Sequence, residues 1–240
     1  MRAISKTVHF LGGLQTHGQG DKATMLHQAC EASRVLFHPI DWQNPKHGHI
    51  GEWAQAIVDG LEPYRPVDVK HRKVLVASSM AVWPALIALA QMGNAAVEFV
   101  DHFVAVSPVI DATAAFADKF TDGKTVIEVP CGADVPAFPL TPEHVKRAEP
   151  LLIRKQGHTW MEQISTKIGL TVLAGPDDQK IGSSLMRIWP KGARLWPEMS
   201  GIATAFKPIE LKAAHYVQNE DDTKLIVSTA VRLALQANIR

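Results

Sequence analysis

Short apolar runs alternate with segments of helical period along most of the chain, and this alternation constrains the fold more than any other feature. Residues 7–11 form a β-rich run that stops at Gly12-Gly13. A polar, Gly-rich stretch to Gly20 then leads into residues 21–34, where Ala23, Leu26 and Cys30 share one helical stripe. Residues 35–39 read as a second short strand. A loop rich in Pro, His and Gly follows, and residues 51–61 set Trp53, Ile57 and Leu61 at helical spacing. Residues 73–77 (Lys-Val-Leu-Val-Ala) are nearly all apolar, as expected of a strand covered on both faces. Residues 80–92 after them carry strong helix formers, with Pro84 in the first turns where a missing N–H costs little. Further strands are expected at 99–106, 170–174 and 210–213, and a closing helix from about Asp222 to Gln236, capped by the acidic pair before it. Such an order predicts an α/β fold in three layers, with a mostly parallel sheet of about six strands counted from the apolar runs.

Residues 111–168 break the rhythm. Pro130, Pro136, Pro139 and Pro142 fall close together, and Phe116, Phe120, Phe138 and Trp160 are spread through the segment. We read it as a short cap inserted into one domain spanning 1–240, a length that routinely folds as a single unit.

Composition narrows the function. With 25 basic and 24 acidic side chains and no long single-sign run, there is no electrostatic ground for a nucleic-acid partner. Cys30 and Cys131 are the two cysteines, far apart and without further close-spaced ligands, so two reduced thiols are expected rather than a disulfide framework or a zinc site. The N-terminal apolar run is too short for a signal core or a membrane span, which sets the expectation of a soluble, cytoplasmic protein. The metal-binding pattern His-Glu-x-x-His and the dinucleotide fingerprint Gly-x-Gly-x-x-Gly after the first strand are both missing, so a reaction without metal or cofactor is expected.

Serine hydrolysis needs a hydroxyl lifted out of a sheet on a tight strand-to-helix turn, beside a base, with backbone N–H groups to hold the oxyanion. Ala77-Ser78-Ser79-Met80-Ala81 stands at such a junction. Alanines occupy the two positions where glycine usually relieves crowding on either side of the nucleophile. Ser78 competes for the role, but Ser79 is the one with small residues two places before and two places after it. The orienting acid and the base should follow in that chain order, on loops leaving later strands. Asp178, after the run 170–174, and His215, before the last helix, meet this requirement; Asp177 and Asp111 remain rivals for the acid. His17, His38, His71, His102, His144 and His158 are read as surface or locally packed residues. The oxyanion donors would be the N–H groups of Met80 and Leu14, with Gly12 and Gly13 allowing close approach.

Several stretches carry a family likeness: Phe10-Leu11-Gly12-Gly13-Leu14 with Gly20-Asp21-Lys22-Ala23, Asp41-Trp42 with Ile50-Gly51-Glu52-Trp53, and Ala77-Ser78-Ser79-Met80-Ala81. Together they resemble the small-cap α/β-hydrolases, in particular the branch that contains the mitochondrial acyl-protein thioesterase and many bacterial serine hydrolases. The likeness covers residues 7–107 best and returns at Asp178 and His215. It implies a triad of Ser79, His215 and Asp178, with Leu14 and Met80 at the oxyanion, acting on an acyl ester or thioester. No first hairpin is recognisable ahead of Thr7, so a trimmed sheet is expected whose edge begins at residues 35–39. Two functional expectations stand side by side: an esterase or thioesterase, or, given the alanines at the elbow, a catalytically weakened hydrolase fold used for binding.

Overall fold

The computed structural model describes residues 6–14, 16, 19–43, 48–64, 71–110, 112–115, 119–120, 125–129, 131, 136–152, 168–175, 209–212, 217 and 219–236. Its strands are β1 (Lys6–Leu11), β2 (Leu36–Pro39), β3 (Arg72–Ser78), β4 (His102–Val106), β5 (Ile127–Val129), β6 (Phe138–Leu140), β7 (Gly169–Ala174) and β8 (Ile209–Glu210). The helices are α1 (Asp21–Ala32), α2 (Ile50–Leu61), α3 (Val82–Met92), α4 (Ala96–Phe99), α5 (Pro142–Ala148) and α6 (Glu220–Leu235).

Among the described residues six strands form one sheet in the order β2-β1-β3-β4-β7-β8, and every pairing between them is parallel. Among the described residues one edge is β2, as the sequence led us to expect, and Pro39 ends it, where a missing N–H breaks no interior ladder.

Strand side chains alternate between two separate cores. Val74 and Val76 of β3 and Val104 and Val106 of β4 join the layer covered by α1 and α6. Leu75, Ala77, Phe103 and Ala105 join the layer covered by α2 and α3. Both faces are therefore buried, which is why these strands read as continuous apolar runs rather than as an alternating pattern. The α3 helix is apolar all round for the same reason: Val82 to Ala90 are all buried.

Several boundaries moved from their expected positions. The run 99–106 divides into the end of α4 and a shorter β4, because Asp101 interrupts it. The Asp101 carboxylate accepts the Lys73 N–H at 2.8 Å and lies 3.7 Å from the buried Lys73 ammonium, so it belongs to the turn that opens β4. The helix expected from residue 80 begins with a tight turn over Ser79–Ala81 before α3 proper. The last helix starts at Glu220 and is capped by Asn219, whose side-chain oxygen accepts the Asp222 N–H at 2.7 Å, rather than by the acidic residues alone. Between β4 and β7 the antiparallel pair β5–β6 and α5 were not anticipated from the sequence; α5 packs against α2.

Candidate active site

The chain leaves β1 toward β2 on one side and leaves β3 toward β4 on the other. Adjacent parallel strands whose connections diverge open a crevice at their C-terminal ends, the usual ligand position in open α/β sheets. Two segments meet there: Gly12-Gly13-Leu14 after β1, and Ser78-Ser79-Met80 after β3.

Ser79 has φ 56°, in the left-handed region that a non-glycine residue occupies only under constraint, at a cost of about 1–2 kcal/mol. Ser78 by contrast is extended (φ −114°, ψ 134°) and buried in the strand. The two serines thus differ in kind: Ser78 ends the strand, and Ser79 makes the sharp turn into the helix. Ala77 and Ala81 are fully buried members of the α2/α3 core. Their methyl groups pack where glycines usually stand, and the turn forms with them in place.

The backbone on both sides of the crevice is held by its carbonyls. Trp42 Nε1 donates to Gly12 O at 2.8 Å and Gln43 Nε2 donates to Gly13 O at 3.0 Å. Thr16 adds its N–H at 3.1 Å and its hydroxyl at 2.7 Å to the same Gly13 O. Across the crevice, Ser79 O accepts the N–H of Val109 at 3.1 Å and that of Val82. A trans peptide points its N–H opposite to its C=O. Fixing Gly13 O and Ser79 O therefore fixes the directions of the Leu14 and Met80 N–H groups. The glycine turn also lies close to the elbow, for a Cβ placed on Gly13 would stand 3.7 Å from Ser79 Cβ and 4.0 Å from Ser78 O.

Beside this turn lies a cavity of about 50 Å³, lined by Leu14 and Met80 from the crevice and by Trp53, Trp83, Phe138 and His144 among others. His144 was read from sequence as locally packed. Its Nδ1 does accept the Thr141 N–H at 3.0 Å, capping α5, yet the ring also lines this cavity. The capping pattern was visible in Thr141-Pro142-Glu143-His144, but which face of α5 met the crevice was not.

The other histidines that the structure describes pack locally. His38 Nδ1 lies 3.1 Å from His9 Nδ1, His71 Nε2 lies 2.7 Å from Thr7 Oγ1, and His102 Nε2 lies 2.8 Å from Thr171 Oγ1. Burial, reinforced by His38, His71 and Lys73, lowers His9 to about 3, and burial with Arg72 lowers His102 to about 4, so both rings stay neutral at pH 7. Cys30 is buried and its thiol is pushed up to about 12, an inert core residue. Among the described residues no three His, Cys, Asp or Glu side chains group as a metal site.

Asp178 and His215, with the rival acids Asp177 and Asp111, lie outside the described residues. The frame around His215 is described. Asp222, 2% exposed, accepts the Lys212 N–H at 2.9 Å and the Asn219 side-chain amide at 2.6 Å. One buried carboxylate thereby ties together the two ends of the segment that carries His215.

This architecture is the α/β-hydrolase fold, a conclusion that comparison with solved structures supports. An α/β-hydrolase domain-containing protein 10 from mouse superposes with a TM-score of 0.70 at 16% identity, over 95% of this chain and 88% of that one. A putative hydrolase from Agrobacterium vitis S4 gives 0.73 at 17% identity, over 95% and 87%. Est1E from Butyrivibrio proteoclasticus with ferulic acid bound gives 0.63 at 10% identity, over 98% and 90%. No protein-family model matches the chain, and no curated protein matches it.

Proposed function

We propose that this chain is a serine hydrolase that cleaves a carboxylic ester or thioester through an acyl-enzyme on Ser79. The left-handed turn of Ser79 at the crevice between β1 and β3 carries this reading. A strained non-glycine turn at that point has a physical use, which is to hold a hydroxyl clear of the sheet.

In this mechanism His215 takes the Ser79 proton as Oγ attacks the carbonyl carbon. The negative charge that develops on the carbonyl oxygen is met by the N–H groups of Leu14 and Met80. Collapse breaks the bond to the leaving alkoxide or thiolate, which takes the proton from His215. A water deprotonated by His215 then attacks the acyl group, releasing the acid and returning the proton to Ser79. Asp178 holds the imidazole tautomer. Two features favour these assignments. β7 and β8 run parallel to β3, so segments leaving them emerge at the edge that carries Ser79. The residues follow the order serine, acid, histidine. The solved structure of Est1E with ferulic acid bound is a case in which the same fold holds a small carboxylic acid.

The test is Ser79→Ala in a folded chain, assayed with aryl esters and a fluorophosphonate probe. Labelling should disappear and turnover should fall by up to about 10⁶, the scale of triad knockouts. Undiminished turnover would remove Ser79 from the mechanism. A folded wild-type chain that neither labels nor hydrolyses would point instead to a binding protein on a hydrolase frame.

A further inference from the structure

We infer that Ser107 is a positioning residue for this site: its left-handed backbone turns the chain so that the Val109 N–H holds Ser79 O and thereby aims the Met80 N–H at the oxyanion. The inference rests on the proposed role of Ser79 and adds a residue to that mechanism.

Val106, the last residue of β4, pairs with Ser78, the last residue of β3, so Ser107 and Ser79 are the next residues out of two neighbouring strands. Both have a positive φ, 43° at Ser107 and 56° at Ser79. The conformation is doubly disfavoured at Ser107. The serine carries a Cβ, and Pro108 follows, which normally holds the residue before it extended. The turn has a direct effect on the hydrogen bonds. Along a strand in a parallel sheet the backbone groups of residues i and i+2 face the same neighbouring strand. The Ser107 N–H donates to Leu173 O of β7 at 2.7 Å, so a β4 that ran straight on would present the Val109 N–H to β7 as well. It donates instead to Ser79 O, at 3.1 Å, on the opposite side of β4. The chain therefore reverses its facing between Ser107 and Val109, and the left-handed residue there is Ser107. Ser79 O belongs to the same peptide as the N–H of Met80, a proposed oxyanion donor, so the bond from Val109 sets where that N–H points. The Ser107 hydroxyl is buried and has no partner among the described residues. The role lies in the backbone of Ser107 and not in its hydroxyl.

The experiment measures kcat and KM for 4-nitrophenyl acetate, per Ser79 site titrated with the fluorophosphonate, on the wild type, Ser107→Gly, Ser107→Ala, Ser107→Thr and Val109→Pro. Ser107→Thr keeps the hydroxyl, but its branched Cβ disfavours a positive φ. Val109→Pro removes the N–H that Ser79 O accepts. Each of these two should lower kcat by about 10- to 100-fold, short of the loss of a whole oxyanion donor, with KM within about threefold of wild type. Ser107→Gly makes the turn freely and Ser107→Ala lacks only the hydroxyl, so both should keep kcat within about threefold. Titration counts only folded sites, and the two impaired variants test one bond from opposite ends, so misfolding of either leaves the other. The reverse order, with Ser107→Gly and Ser107→Ala impaired and Ser107→Thr active, would overturn the inference by giving the role to the hydroxyl. So would an unchanged kcat in Ser107→Thr and Val109→Pro. Ser79-dependent labelling of the wild type in those cases would show that the nucleophile stands and only the argument for Ser107 has failed. Absence of that labelling would remove both.

Discussion

His9 makes the stability of this protein depend steeply on acid. The ring is 1% exposed on β1, one strand in from the edge, and is lowered from 6.5 to about 3, first by burial and then by His38, His71 and Lys73. In the unfolded chain the same ring protonates near 6.5. Between those two values the unfolded state holds a proton that the folded state does not, so stability is complete above pH 6.5 and falls as the pH drops toward 3. Each pH unit in that window removes about 1.4 kcal/mol per such histidine, so His9 alone costs roughly 3 kcal/mol by pH 4.5. His102, lowered to about 4, follows the same sign over the same interval. Together the two remove about 5 kcal/mol, comparable with the whole stability of many domains. Urea unfolding followed by tryptophan fluorescence at pH 7, 6, 5 and 4.5 measures the slope. His9→Gln should make the fall of stability with pH shallower by about 1.4 kcal/mol per unit, whatever constant offset the substitution adds. Parallel lines for wild type and variant would refute the reasoning, because they would mean that His9 takes up its proton equally in both states.

Two further outcomes are expected. Asp222→Ala removes the acceptor for the Lys212 N–H and the Asn219 amide, and should cost about 1–3 kcal/mol in urea unfolding. If His215 is the base, kcat should fall more than KM changes, and Asp222→Asn, which keeps one acceptor oxygen, should recover part of the loss. Gly13→Ala should leave the chain folded, since the new Cβ meets only ordinary contacts, but should lower ester hydrolysis by about 10². The methyl would stand beside Ser79 where the substrate carbonyl must enter. Undiminished activity in that variant would show that the carbonyl enters from another side.

How far the sequence could be read follows from the range of the interactions involved. The order of β1, α1, β2, α2, β3 and α3 was legible because burial on one face or two imprints a period on neighbouring residues. The four-residue α4 and the three-residue β5 and β6 were not, since such short pieces carry too few residues to show a period. The elbow was legible as a junction with two candidate serines. Small residues two places to either side already favoured Ser79 over Ser78, and the structure bears this out with φ 56° at Ser79, whose carbonyl accepts the N–H of Val109 from the neighbouring β4 exit.

By itself, the sequence determined the layer order through local hydrophobic patterning, while the edge at residues 35–39 and the segments around Ser79 were read from motif and family resemblance. Only the tertiary structure decided how those segments are held and how much room they leave. The Gly12 and Gly13 carbonyls are fixed by Trp42 and Gln43, some thirty residues away, and the cavity is bounded by Trp53, Trp83 and Phe138 from three separate elements. No window along the chain contains those partners together, because their contact is created by the closing of the layers and not by their spacing in sequence.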